Sequence, residues 1–314
     1  MRRQPPPHVY FLVSAVFHYL GPAFAVLLFA RVDVLGVAWL RIAAAALVFA
    51  LWRRPWRAFA AQDREGRWLL LAWGTVLALM NVCFYVAIDR LALGTVAAIE
   101  FLPVIVLAAI GARTPRNLAA LLLAVPGVYL LTDVQLAAQP LGLAFAFANA
   151  ALFALYIVLA DRVAKRDAIG GIDGLAAAML IAAVVVTPVG GWAAIAVAAD
   201  PVALLAGIGV GVASSVIPYV CDQLALARLR RATYALLVSL LPATATVIGI
   251  AVLAQIPTAA ETAGLVLVIA GVALHREARP PAAPDAPLTP KRAALPAATP
   301  TPATPMAPAA ASRS

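Results

Sequence analysis

The sequence predicts an all-α polytopic membrane protein, with ten transmembrane helices arranged as two inverted five-helix repeats. Three observations predict it. Hydrophobic residues make up 64% of the 314 positions and charged ones 12%, with a mean hydropathy of +0.97, well outside soluble-domain usage. Ten apolar stretches fill the chain from Val9 to His275, and a hydrocarbon core of about 30 Å needs roughly 20 helical residues. Lys and Arg are concentrated in alternate connecting loops.

Taken in order, span one covers 9–30 and follows Arg2 and Arg3. Its length and the nine spans behind it favour an uncleaved first helix over a secretion signal. Span two, 34–52, ends at Arg53, Arg54 and Arg57, and Arg64 and Arg67 precede span three, 68–88. Span four, 93–111, is followed by Arg113 and Arg116, then by span five, 117–132. Span six, 140–160, runs into Arg162, Lys165 and Arg166, and span seven covers 174–195. Span eight, 202–224, precedes Arg228, Arg230 and Arg231. Spans nine and ten, 233–253 and 260–275, lead to Arg276 and Arg279. The opposite loops hold only Arg31 and Arg90. No stretch alternates with period two, which argues against a barrel.

This distribution gives the net charge of +9 a topological meaning. Basic residues stay on the cytoplasmic side, so both termini are expected there, in the cytoplasmic membrane. Nucleic acid is excluded as a partner; lipid, a small-molecule substrate and protons are expected, and a homodimer is compatible. After Arg279 the composition turns to Pro, Ala and Thr, which cannot bury enough apolar surface to fold. The expected division is a first repeat at 1–136, a second at 137–279 and a disordered cytoplasmic tail at 280–314. Glu100 to Pro103 reads E-F-L-P and Ser239 to Pro242 reads S-L-L-P, 139 positions apart. Five spans per half invert the second half, an arrangement that builds alternating-access transporters.

Charges inside spans cost at least about 2.5–3.5 kcal/mol each on insertion scales, so they point to function. Arg41 and Glu100 both lie roughly 11 Å from the outer helix ends, and Asn81 and Asn149 roughly 12–14 Å. Four helices thus place polar groups in one layer, readable as a binding cavity. Arg41 offers a planar fork suited to a carboxylate; Glu100 can hold an ammonium group or a coupling proton. The competing reading is that Arg41 and Glu100 neutralise each other and only join two helices. His18 shares a stripe with Ser14, Gly21, Pro22 and Ala25, which marks a helix contact or a cavity wall. Asp222, roughly 30 Å from the outer end, is placed for a structural role near Arg228. Tyr85 on span three and Tyr156 on span six fall on similar stripes, where substrate stacking and core packing are both open. Pro22, Pro103, Pro218 and Pro242 each remove a backbone donor and are candidate bends.

Enzymatic signals are missing. No Walker A, G-x-S-x-G or H-E-x-x-H sequence occurs, and His8, His18 and His275 are too scattered for a metal site. No cofactor is expected. Cys83 and Cys221 are single residues within spans, read as packing cysteines.

The chain resembles the EamA-type branch of the drug/metabolite transporter superfamily, and within it amino-acid exporters. The matching pieces are W-L-R-I-A at Trp39–Ala43, M-N-V-C-F-Y at Met80–Tyr85 and L-A-L-G-T-V-A-A-I-E-F-L-P at Leu91–Pro103. Y-I at Tyr156–Ile157 and S-S-V-I-P-Y-V-C-D-Q-L-A-L at Ser214–Leu226 also match. The resemblance covers about residues 9–276. It implies ten helices in two inverted repeats and efflux of small metabolites coupled to an ion gradient, with Arg41, Asn81, Tyr85 and Glu100 on motif positions. Asp222 stands where the motif has Glu, and Leu241 where a Glu before the proline is usual. Efflux of drugs or nucleotide-like compounds, uptake, and a non-transporting scaffold or receptor are the alternatives.

Overall fold

The computed structural model describes residues 6–111, 114–136, 139–166, 171–195, 197, 200–226, 237 and 240–274. Its helices are α1 (Pro7–Leu28), α2 (Val34–Arg53), α3 (Pro55–Ala60), α4 (Arg64–Ile88), α5 (Leu93–Gly111) and α6 (Pro115–Leu136). There follow α7 (Pro140–Ala164), α8 (Gly171–Ile195), α9 (Pro201–Gly211), a π-helical turn at Val212–Val216, α10 (Ile217–Leu226), α11 (Leu241–Leu253) and α12 (Ala259–Leu274). The expected tail at 280–314 lies outside the described residues, as do Arg2, Arg3, Arg113, Arg228, Arg230, Arg231, His275, Arg276 and Arg279.

Among the described residues, six helices are long and apolar enough to cross a bilayer, and four shorter apolar helices occupy the other expected spans. Local chemistry sets their starts. Asp33 caps α2 by accepting from the Leu35 N–H at 2.9 Å, Asp63 caps α4 through Gly66 at 2.8 Å, and Asp200 caps α9 through Val202 at 3.0 Å. Pro55, Pro140 and Pro201 occupy first-turn positions, where a missing N–H costs nothing. The capping Asp63 moves the start of α4 to Arg64, ahead of the expected 68. The sequence reading also missed α3, which is too short to register as apolar periodicity; Arg54, left-handed at φ 51°, ends α2 and turns the chain into it.

The loops fall at two ends of the bundle. At one end, Arg53 Nε meets Asp173 Oδ1 at 2.6 Å, Arg166 Nη1 meets Asp63 Oδ1 at 2.8 Å, and Arg116 Nε donates to the Leu274 carbonyl at 2.6 Å. At the other, Arg31 lies 3.6 Å from Asp200, and the Leu93 N–H donates to Gln255 Oε1 at 2.9 Å. The described basic loops therefore share one end.

Small residues let helices approach closely. A Cβ on Gly127 would lie 2.7 Å from the Gly264 carbonyl, and one on Gly264 would lie 2.6 Å from the Gly127 carbonyl, locking α6 to α12. Gly74 and Gly190 seat α4 and α2 on α8 in the same way. Gly21 touches Ser214, drawing α1 onto the π-helical turn.

Candidate functional site

The site forms where α2, α4 and the π-helical turn converge, with α5 and α7 opposite. Arg41 is 6% exposed, and each of its three guanidinium nitrogens donates one hydrogen bond. Nη1 donates to Asn81 Oδ1, Nε to Ser215 Oγ at 3.2 Å, and Nη2 to the Ser214 carbonyl at 3.3 Å. Its Cζ lies 5.4 Å from the centre of the Tyr85 ring, a cation–π distance. Asn81 is oriented in turn by donating from Nδ2 to the Leu77 carbonyl at 2.8 Å.

Pro218 explains why the Ser214 carbonyl is available. In an α-helix that carbonyl would accept from the N–H four residues on, and Pro218 has none. The π-helical turn leads into this proline, and the freed group turns to Arg41. Unwound backbone is tolerated in a membrane where side chains satisfy it.

Glu100 belongs to a second polar cluster. It is buried and accepts from Asn149 Nδ2 at 3.1 Å. Asn149 is fully buried, and its Oδ1 has no hydrogen-bond partner among the described residues. Two acceptor oxygens, one carboxylate and one amide, thus come together without a cation. No ion pair joins Arg41 to Glu100 among the described residues, although the two lie within electrostatic reach. Of the two readings open from the sequence, the helix clamp therefore has no direct ion pair behind it among the described residues. The four other groups around Arg41 supply its solvation instead.

The remaining candidates are carried by α1, α7 and α10. His18 sits edge-on to Tyr19, ring centroids 5.2 Å apart, and within electrostatic reach of Arg41. Tyr156 belongs to an aromatic wall: it stacks on Phe153 at 6.3 Å and lies 5.6 Å from Trp73. Phe153 in turn meets Phe101 edge-on, next to Glu100. Ser14 Oγ donates to the Pro218 carbonyl at 3.3 Å, and Asp222, four residues further along α10, lies within electrostatic reach of Tyr219.

Sequence reasoning missed Tyr19 and Tyr219. The buried Tyr19 hydroxyl has no hydrogen-bond partner among the described residues and feels Glu100. Tyr219 feels Arg41, Asp222 and Glu100 together. The signal for Tyr219 lies beside it in the sequence, in the one-sided spacing of Ser215, Pro218 and Asp222. Among the described residues, no group of His, Cys, Asp or Glu could hold a metal ion.

The EamA-like transporter family matches residues 140–276. The threonine/homoserine exporter RhtA of Escherichia coli (strain K12) is 31% identical over 267 residues, spanning 84% of this chain and 89% of its own. Its namesake from Salmonella typhimurium (strain SL1344) is 32% identical over 253 residues, 80% of this chain and 84% of its own. A protein of known crystal structure shares the fold with a TM-score of 0.55 at 16% identity, covering 85% of this chain and 96% of that one. The chain belongs to the EamA-like transporter family and is a multi-pass membrane transporter, not an enzyme.

Proposed function

We propose that this transporter exports small zwitterionic metabolites, amino acids first among them, by alternating access in the cytoplasmic membrane, coupled to protons. One observation carries the reading: a buried guanidinium and a buried carboxylate lie within electrostatic reach of each other without an ion pair among the described residues. Arg41 is hydrogen-bonded to neutral partners alone, which leaves its charge to a substrate carboxylate. Glu100 and the unpartnered Asn149 Oδ1 offer acceptors to an ammonium group or a proton. Two relatives that export threonine and homoserine, similar across most of this chain, point the same way.

Packing supports two inverted repeats, residues 1–136 and 137–279. Gly74 abuts the Ala178 carbonyl and Gly211 abuts the Arg41 carbonyl, each with its Cβ position 2.7 Å away. Both partners of that contact are displaced by 137 positions, the same interval that separates Gly127 from Gly264. A recurrent contact at constant spacing is what a pseudo-two-fold axis produces. The gathering of the described basic loops at one end supports cytoplasmic termini.

The test is flux in proteoliposomes against a panel of amino acids, drugs and nucleotide-like compounds, with and without a pH gradient. Gradient-dependent movement of amino acids is expected. Movement confined to the other classes, or none at all, would overturn the reading.

A further inference from the structure

The basic end of the bundle carries aromatic and cationic groups that the transport site does not use. Trp52, Trp56 and Trp68 are 51%, 52% and 62% exposed. Arg54, Arg57, Arg64 and Arg67 are exposed as well, and none of the four forms an ion pair among the described residues. The nearby carboxylates are already committed. Asp63 Oδ1 accepts from the Gly66 N–H and from Arg166 Nη1, each at 2.8 Å, and Glu65 Oε2 meets Arg166 Nη2 at 2.7 Å. Arg67 spends one donor on the Ala60 carbonyl, at 2.7 Å, and keeps the rest.

An open cavity of about 380 Å³ lies here, lined by Phe59, Gln62, Asp63, Arg64, Arg67, Trp68 and Leu71, the Asp63 carboxylate being the one already held by Gly66 and Arg166. We propose that it is a binding site for an anionic glycerophospholipid. Arg64 and Arg67 take the phosphate, and Phe59, Trp68 and Leu71 lie against the first part of an acyl chain. Guanidinium groups without acidic partners supply the charge complement. The half-buried and exposed aromatic walls distinguish a lipid from free phosphate, because tryptophan at a membrane interface faces headgroup and chain together. The site bears on the bundle through Arg53–Asp173 and Asp63–Arg166, which join the α2–α4 connection to α8 and to the end of α7. It does not depend on what the transporter carries.

Native mass spectrometry of the full chain, titrated with phosphatidylglycerol or phosphatidylcholine of identical chains, tests the assignment. The unaltered protein is expected to retain phosphatidylglycerol over phosphatidylcholine. The double variant Arg64→Gln/Arg67→Gln should retain about tenfold less phosphatidylglycerol, as loss of charge-assisted hydrogen bonds implies. Arg31→Gln, at the other end of the bundle, should retain it in full. Absence of a phosphatidylglycerol preference in the unaltered protein overturns the proposal whatever the variants do. So does full retention by the double variant, or displacement of the lipid by millimolar inorganic phosphate. Disulfide crosslinking between Trp68→Cys copies, without lipid retention, would instead assign the surface to a second copy of the chain.

Discussion

Arg41 and Glu100 lie within electrostatic reach of each other, yet Arg41 gives its hydrogen bonds to Asn81, Ser215 and the Ser214 carbonyl, while Glu100 accepts from Asn149. A mated pair and two separate binding groups respond differently to neutralisation. Removing one member of a mated pair strands the other, and removing both relieves the damage. Here each charge has its own neutral shell, so no relief is expected. Glu100→Gln and Arg41→Gln should each lower gradient-driven efflux at least about tenfold, the size of one charge-assisted contact, with insertion intact. The double variant should be no better than either single one. Recovery of folding or flux in the double variant would restore the clamp reading.

Pro218 is expected to matter through the carbonyl it leaves free. Pro218→Ala supplies an N–H that competes with Arg41 Nη2 for the Ser214 carbonyl, now 3.3 Å from the guanidinium. Losing a hydrogen bond to a charged donor costs about 1.5–3 kcal/mol. Half-saturating substrate concentration should rise by about tenfold or more, while thermal stability holds or improves as helix continuity returns. An unchanged concentration dependence would sever Pro218 from Arg41.

Much of this architecture was legible because lipid imposes a simple rule: helix lengths follow bilayer thickness, and intramembrane charge is rare enough to notice. Arg41, Asn81, Glu100 and Asn149 stood out on depth alone. Depth gives no rotation, however, and hydrogen-bond partners depend on rotation. That is why the sequence leaves open whether Arg41 faces Glu100, while the fold sets it on Asn81 and the Ser214–Ser215 segment. The π-helical turn at Val212–Val216 was illegible for a related reason. Its one extra residue per turn leaves no compositional trace beyond the proline that follows. Tyr19 escaped notice because a tyrosine within an apolar span looks like packing until its hydroxyl is found without a partner.

Gly21 sets the distance between α1 and the π-helical turn. A Cβ there would lie 2.1 Å from Ser214 Oγ and 2.8 Å from the Ser214 backbone nitrogen. The obstruction includes main chain, so no side-chain rotation relieves it. Gly21→Val should cost about 1–3 kcal/mol as overpacking and displace the Ser214 and Ser215 groups that hold Arg41. A lowered melting temperature together with a loss of flux is expected; a normal Tm with full flux would show that α1 does not bear on the site.

Asp63 ties the start of α4 to Arg166 outside the membrane, and the strength of that tie depends on pH. The Gly66 N–H first, opposed next by desolvation and aided then by the Arg166 guanidinium, holds the Asp63 carboxyl below the usual carboxylate range. A depressed native pKa means that the contribution to stability is fully present above the unfolded-state value. It declines as pH falls through the native one. Melting temperatures of the unaltered protein and Asp63→Asn should therefore differ by a constant amount at neutral pH and converge in acid. The side chain is solvent-exposed, so added salt should reduce the part of the difference due to Arg166 and leave the part due to the helix cap. A gap that widens as pH falls would show that Asp63 is not the group being titrated.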